Sequence, residues 1–238
     1  AALMKLGHGV HLINDRLPQP ESESASIPRT SPPKTLSLLV HGYKSRGYEW
    51  VYAATHLARR GPVYLFRWDW ELCPKAGAAK LSVALSELSA QYPQSDVRAL
   101  GHSYGGVILA ISAAQYQGDS PLHAHLIASP LAGHGKLEAR CQTSIRDLTA
   151  PHRRLTETAH TEMKTTDDAH SRLQLTQWRT VKEIDGAFKE MDHDPQVVDW
   201  RGDAFTLPKT YRGKRLGHNW SISAVVDSIL KDEAETNR

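Results

Sequence analysis

A serine set between glycines, Gly101-His102-Ser103-Tyr104-Gly105, stands where strand character gives way to helix character. Asp96-Val97-Arg98-Ala99-Leu100 precedes it, and the apolar run Val107, Ile108, Leu109, Ala110, Ile111, Ala113 and Ala114 follows it. Gly-x-Ser-x-Gly at such a junction is the sequence form of a nucleophile elbow. The turn is tight and strained, so the residues around the serine must be small. The hydroxyl then projects above a sheet, and the helix N-terminus beneath it favours developing negative charge. Gly106 adds room for that helix to pack close to the strand. The pentapeptide alone is a weak signal, because a Gly/Ser turn before any core helix reads the same way. The strand before it and the helix after it give it weight.

A serine hydroxyl is a poor nucleophile until a base takes its proton, and the base needs a carboxylate to orient it. In an elbow-type sheet these groups follow in the order Ser, Asp or Glu, His. The last histidine of the chain, His218, lies in Arg215-Leu216-Gly217-His218-Asn219-Trp220-Ser221, just before the final apolar-patterned helix. Its position makes it the candidate base; most of the other 12 of the 13 histidines must be surface groups. The acid should follow the strand expected over Trp178–Ile184. Asp185 ends that strand directly and is the first choice. Asp194, opening Asp194-Pro195-Gln196-Val197, is the alternative, with Glu190, Asp192 and Asp199 behind them. The tetrahedral intermediate needs two N–H donors. One would come from Tyr104, after the nucleophile, and the other from Tyr43 in His41-Gly42-Tyr43-Lys44-Ser45, where His-Gly would turn the chain sharply.

The elements that must position these groups alternate. A first strand or strand pair is expected around Gly9–Ile13. Residues 16–34, with Pro18, Pro20, Pro28, Pro32 and Pro33, read as a surface connection. Leu36–Val40 and Val63–Phe66 are short apolar strands, and Tyr48–Arg60 and Ala76–Gln91 have helical spacing. His123–Ala128 is the strand after the elbow helix. This rhythm predicts a mostly parallel sheet with helices on both faces. Residues 131–177 break it and read as a small helical and loop insertion, a possible cap. Strand character returns at Trp178–Ile184 and near Pro208–Leu216, and the last helix is expected over Ser221–Lys231. No internal repeat is found, and one domain over 1–238 is the economical reading.

Composition excludes several classes. With 238 residues, 40% hydrophobic and 23% charged, the chain has the make-up of an ordinary globular protein. A net charge of +3 with no basic stripe argues against nucleic acid. No apolar run approaches a membrane span. Ala1-Ala2-Leu3-Met4-Lys5 does not have the form of a signal peptide, and the absence of a starting Met leaves open what precedes it. Cytoplasmic and exported locations both stay open. Cys73 and Cys141 have no metal-type spacing; they form either one disulfide, which would favour export, or two unrelated thiols. His152, Arg153, Arg154, His160 and His170 read as a solvated face rather than a metal site. Trp68 and Trp70 in Phe66-Arg67-Trp68-Asp69-Trp70 could wall a substrate pocket or pack the core. Asn219-Trp220-Ser221 matches a glycosylation sequon but abuts the candidate base.

Val40-His41-Gly42-Tyr43, Gly101-His102-Ser103-Tyr104-Gly105-Gly106 and Gly217-His218 together resemble the α/β-hydrolase superfamily in its lipase and esterase branch. The likeness spans about residues 35–232. It implies an α/β-hydrolase fold, a Ser-His-Asp triad and no cofactor. Ser103, His218 and the Tyr43 and Tyr104 amides carry over. The usual Gly-x-x-Asp after the acid-bearing strand is missing, so the acid does not. The function expected is hydrolysis of small-molecule carboxylic esters with short to medium acyl chains. Alternatives on the same triad are a thioesterase, an amidase or a peptidase, and a non-catalytic binding protein of this fold is a further one. Oligomeric state is not legible.

Overall fold

The computed structural model describes residues 7–13, 33–152 and 172–236. Seven strands form one sheet in the order β1-β3-β2-β4-β5-β6-β7. β1 (Gly9–Leu12) runs antiparallel to β3 (Val63–Arg67) at one edge. β2 (Thr35–Val40), β4 (Asp96–His102), β5 (Leu122–Ile127), β6 (Leu173–Arg179) and β7 (Asp203–Thr206) continue it with every pairing parallel. β2 to β4 are apolar runs because both of their faces are covered. Leu36, Leu38, Val40, Tyr64 and Phe66 point toward α2 (Pro74–Gln91) and α3 (Tyr104–Ala113). Leu39, Val63 and Leu65 point the other way, toward α1 (Val51–Leu57) and the last helix.

Register decides where the site lies. Val40 pairs with Gly101, His102 with Ile127, and Ile127 with Trp178. The residues that follow these positions therefore emerge along one edge: His41-Gly42, Ser103, Ala128 and Thr180. That is the carboxyl edge of a parallel sheet, where ligand sites of open α/β folds form.

The outer third of the sheet differs from the sequence-based expectation. β6 begins at Leu173, inside the segment 131–177 read as an insertion, and ends at Arg179; a single 3-10 turn, Lys182–Ile184, then leads to Asp185. Leu173-Gln174-Leu175-Thr176-Gln177 alternates apolar and polar because β6 is only partly covered, so it lacks the apolar run of an inner strand. β7 is exposed at all four positions and carries no core signal. The strand expected near Pro208–Leu216 is a separate hairpin, β8 (Thr210–Tyr211) with β9 (Lys214–Arg215). Its turn residues Arg212 and Gly213 have φ of 50° and 72°, the left-handed pair that closes a tight hairpin.

Within the insertion lie two short helices, α4 (Gly135–Cys141) and α5 (Ile145–Leu148), and a 3-10 turn at Ala150–His152. His152 is buried, with its Nε2 2.7 Å from the Ala110 carbonyl, so it does not belong to a solvated face. Arg153, Arg154, His160 and His170, and most of the proline-rich stretch 16–34, lie outside the described residues. The last helix, α6 (Trp220–Thr236), extends beyond both expected ends. Among the described residues no helix is long and apolar enough to cross a membrane.

Helix α3 is buried at every one of its ten positions, which is why its sequence shows no polar face. It packs on α2 at Gly77, where an added Cβ would lie 3.2 Å from the Ile108 side chain and 2.9 Å from Trp68. Ile108→Ala should destabilise the protein by about 2–5 kcal/mol, read from urea unfolding. A loss below about 1 kcal/mol would mean that α3 is not packed as described.

Candidate active site

Ser103 sits between β4 and α3 with φ 55° and ψ −123°, a conformation that costs a non-glycine residue about 1–3 kcal/mol. Its N–H donates to the Ile127 carbonyl at 2.8 Å, extending the β4–β5 ladder into the turn. Although Ser103 is the N-cap residue of α3, its side chain makes no capping bond, so the hydroxyl is not spent on the helix. The glycines permit this by closeness. A Cβ on Gly105 would lie 2.4 Å and 2.5 Å from the carbonyl oxygens of Val40 and His41.

The loop after β2 crosses directly over the elbow. A Cβ on Gly42 would meet the Ser103 Cβ at 3.0 Å and the His102 carbonyl oxygen at 3.1 Å. Gly42 is therefore needed for close approach. The sharp turn attributed to His-Gly falls instead at Lys44, a left-handed residue of this loop with φ 55°. His41 clamps the loop from below: its Nδ1–H donates to the Gly42 carbonyl at 3.0 Å, and its Nε2 accepts from the Trp68 N–H at 3.3 Å. That assigns the neutral tautomer. Burial drives the pKa down to about 4, against the Gly42 bond, which raises it. Trp68 returns its indole N–H to the His41 carbonyl at 3.0 Å and stacks on the imidazole. Of the two pocket-wall candidates, Trp68 is thus core and Trp70 lies half-buried at the edge of the His41 ring. Tyr104, the first residue of α3, has an N–H without an intrahelical partner, as every helix start does. Its hydroxyl donates to the Leu72 carbonyl at 2.7 Å.

His218 and Asp185 come together across 33 residues of sequence, with His218 Nδ1 donating to Asp185 Oδ2 at 2.9 Å. The Asp185 side chain is wholly buried. Burial alone would raise its pKa. The bond and charge of His218, the Thr180 hydroxyl on Oδ2 and the Ala187 N–H on Oδ1 (2.8 Å) outweigh burial and hold the carboxyl below its ordinary value. The His218 carbonyl is pinned twice, by Ser221 Oγ at 2.5 Å and by His102 Nε2–H at 3.1 Å. The His102 and His218 rings lie 4.5 Å apart, so the candidate base stands beside the elbow. Phe188 meets the His218 ring edge-on at 5.0 Å.

Asp194 has a different place. Its Oδ1 accepts from the N–H and the side-chain amide of Gln196, at 2.9 Å and 3.1 Å. Gln196 in turn bonds both the N–H and the carbonyl of Thr180, the residue whose hydroxyl holds Asp185. Asp194 thus stands behind the Asp185–His218 pair instead of in it. Glu190, Asp192 and Asp199 are exposed.

Sequence reasoning passed over Thr180, Phe188, His102 and Glu49 as site residues. Thr180 and Phe188 flank Asp185 closely enough to have been considered. Glu49 had no signal; it is a half-buried carboxyl whose pKa burial pushes up, with the Ser45 hydroxyl on Oε1 and His218 near enough to act on it electrostatically.

Cys73, which begins α2, and Cys141, which ends α4, form a disulfide with their Cα atoms 5.6 Å apart. Next to it, Arg140 pairs with Glu71 at 2.5 Å and lies 5.8 Å from the Tyr43 ring centre. Among the described residues no group of His, Cys, Asp and Glu could hold a metal ion.

Solved structures share this fold. Est1E from Butyrivibrio proteoclasticus superposes with a TM-score of 0.56 at 11% identity, over 87% of this chain and 90% of that one. An alpha-beta serine hydrolase homologue from Coxiella burnetii gives 0.51 at 10% identity, over 86% and 88%. The mature lipase BlEst2 of Bacillus licheniformis gives 0.51 at 13%, over 84% and 91%. The chain has the α/β-hydrolase fold. Identities this low carry the fold of an α/β-hydrolase and nothing finer. No protein-family profile and no curated protein sequence matches the chain.

Two outcomes follow from this geometry. Gly42→Ala should keep the fold, since an alanine tolerates this backbone, yet push the loop off Ser103 and lower kcat by about 10²-fold. Unchanged kcat in a folded Gly42→Ala protein would separate the loop from the chemistry. The second concerns acid. A free histidine titrates at 6.5, whereas burial sets His41 at about 4, His125 at about 3, and His102 well below its ordinary value. As pH falls the unfolded chain binds these protons first, so stability is complete above about pH 6.5 and declines toward pH 4. Urea midpoints across that window should fall, and fall less steeply in His41→Asn; a flat profile would contradict the neutral clamp.

Proposed function

We propose that this protein is a serine hydrolase that cleaves carboxylic esters through an acyl-enzyme, with Ser103 as nucleophile, His218 as base and Asp185 as the acid that orients it. The observation that carries the reading is the 2.9 Å bond from His218 Nδ1 to a buried carboxylate, on a ring that stands beside the strained serine. With Nδ1–H committed to Asp185, Nε2 is the ring nitrogen left to accept a proton. Ser103 Oγ attacks the ester carbonyl as its proton passes to His218 Nε2. The oxyanion is held by the Tyr43 and Tyr104 N–H groups. Collapse expels the alcohol, which takes the proton from the imidazolium. Water, deprotonated by the same histidine, then attacks the acyl-enzyme and releases the acid.

The esterase and lipase structures that share this fold are consistent with that reading. Substrates with short to medium acyl chains are favoured, because the disulfide ties α4 in place and Arg140 beside it stands against the Tyr43 ring, next to the loop proposed to hold the oxyanion. The test is labelling with a fluorophosphonate together with hydrolysis of butyrate, octanoate and palmitate esters. The wild type should label and favour the shorter chains, and folded Ser103→Ala should do neither. Asp185→Asn should lower kcat by about 10³–10⁴-fold, as loss of the tautomer-fixing carboxylate does, and Asp194→Asn by less than about tenfold. Ester turnover by a folded Ser103→Ala variant would end the proposal; equal losses at Asp185 and Asp194 would reopen the choice of acid.

A further inference from the structure

A cavity of about 660 Å³ lies between the 3-10 turn Tyr48–Trp50, the β8–β9 hairpin and the first turn of α6. Asn219 and Trp220, which follow His218 directly, line it, as does Glu49, whose carboxyl senses the His218 charge. The other walls are rings: Tyr48, Tyr52 and Tyr211. Tyr48 is 52% exposed and Trp220 44%, so two large flat surfaces face water across a concave space. Tyr211 meets Trp220 edge-on at 6.2 Å.

The charges in this cavity divide into committed and uncommitted. Asp227 receives the hydroxyls of Tyr52 (2.7 Å) and Tyr211 (2.6 Å) and pairs with Arg212 at 2.9 Å. That network is neutral and fixes two of the ring walls. Glu49 is held toward its neutral form by burial. Lys214 is different: its Nζ lies 5.6 Å from the Trp220 ring centre, and it has no carboxylate partner among the described residues. Lys214 thus places a cation with no carboxylate partner above an aromatic wall, while the Glu49 carboxyl is engaged by the Ser45 hydroxyl.

We propose that this cavity is a substrate subsite for a planar aromatic group that bears an anionic substituent, with the ring laid against Trp220 and Tyr48 and the anion on Lys214. Aromatic pairs in offset or edge-on geometry attract beyond the area they bury, and a charge-assisted bond to an ammonium group is stronger than a neutral one. An alkyl chain would use the rings but leave Lys214 desolvated without a partner, at a cost. A neutral sugar would stack but leave the same cation unused.

The proposal rests on the esterase reading for its consequence in catalysis, and the test separates the two. Three esters with the same acyl group are compared: ethyl butyrate, phenyl butyrate and the butyrate ester of para-hydroxybenzoate. In the wild type the carboxylate-bearing aryl ester should have a KM roughly tenfold below that of the phenyl ester. Lys214→Met should erase that difference while leaving kcat/KM for ethyl butyrate within about twofold. Tyr48→Leu should raise KM for both aryl esters and spare the ethyl ester. Calorimetric titration with naphthoate, which needs no turnover, should show binding to the wild type that is lost in Lys214→Met. Naphthoate binding of this pattern without any ester hydrolysis would support the cavity and sink the esterase reading. Ester hydrolysis with equal KM values for the aryl pair, or with Lys214→Met affecting all three esters alike, would overturn the subsite and leave the esterase reading standing.

Discussion

Two backbones pass each other at the top of the sheet with no space between them for a methyl group. Where the loop after β2 crosses the elbow, Gly42 rests on the Ser103 side chain and Gly105 rests on the carbonyls of Val40 and His41. This closeness holds the loop after β2 against the start of α3, and it makes the strain at Ser103 tolerable. A residue at φ 55° with ψ −123° persists only when its surroundings overdetermine it. Here the β4–β5 ladder fixes one side, a helix buried all round fixes the other, and the β2 loop presses from above. The histidine beneath that loop is part of the same device. His41 bonds carbonyl and amide groups on both sides of itself, so its ring acts as a spacer of fixed length between β2 and β3.

Three histidines around the elbow share a side chain and differ in surroundings. His41 and His102 are buried and kept neutral, and each uses its ring to tie one piece of backbone to another. His218 is not sealed in, with 16% of its side chain exposed, and it has a buried carboxylate on one nitrogen. A buried carboxylate without a partner is expensive. Asp185 has three, from Thr180, Ala187 and His218, so it is a rigid acceptor that dictates which way the ring faces. The doubly pinned carbonyl of His218 fixes the backbone that carries it.

The inner strands were readable because each is buried on both faces and spells out an apolar run. The elbow was readable because a strand-like run precedes the glycine-flanked serine and an apolar helix run follows it. Legibility failed where burial becomes partial. β6 alternates polar and apolar residues and so resembles a loop; β7 is exposed along its length; Arg212-Gly213 closes a hairpin that apolar pattern alone cannot separate from a sheet strand. The choice of acid was divided for a different reason. Asp194-Pro195-Gln196 is a structured turn whose carboxylate secures Gln196 and, through it, Thr180, so both candidates belong to one network that sequence position alone does not separate. Gly42 was noticed for the right loop but for a turn that Lys44 makes. The cysteine pairing needed a Cα separation, which no sequence spacing supplies.

The bridge from Cys73 to Cys141 closes a covalent ring across a sequence separation of 68. Inside that ring lie α2, β4, Ser103, α3 and β5; outside it are β2 with the amide of Tyr43, and both Asp185 and His218. On a chain-entropy view, a closure of this length restricts the unfolded chain by roughly 4 kcal/mol, if the native geometry is unstrained. Ser103 therefore belongs to a tethered loop, while Asp185 and His218 hang on untethered arms. A single peptide-bond scission anywhere between α2 and β5 would leave both fragments attached to each other, whereas a cut between α5 and α6 would leave His218 with no covalent link to the segment that carries Ser103.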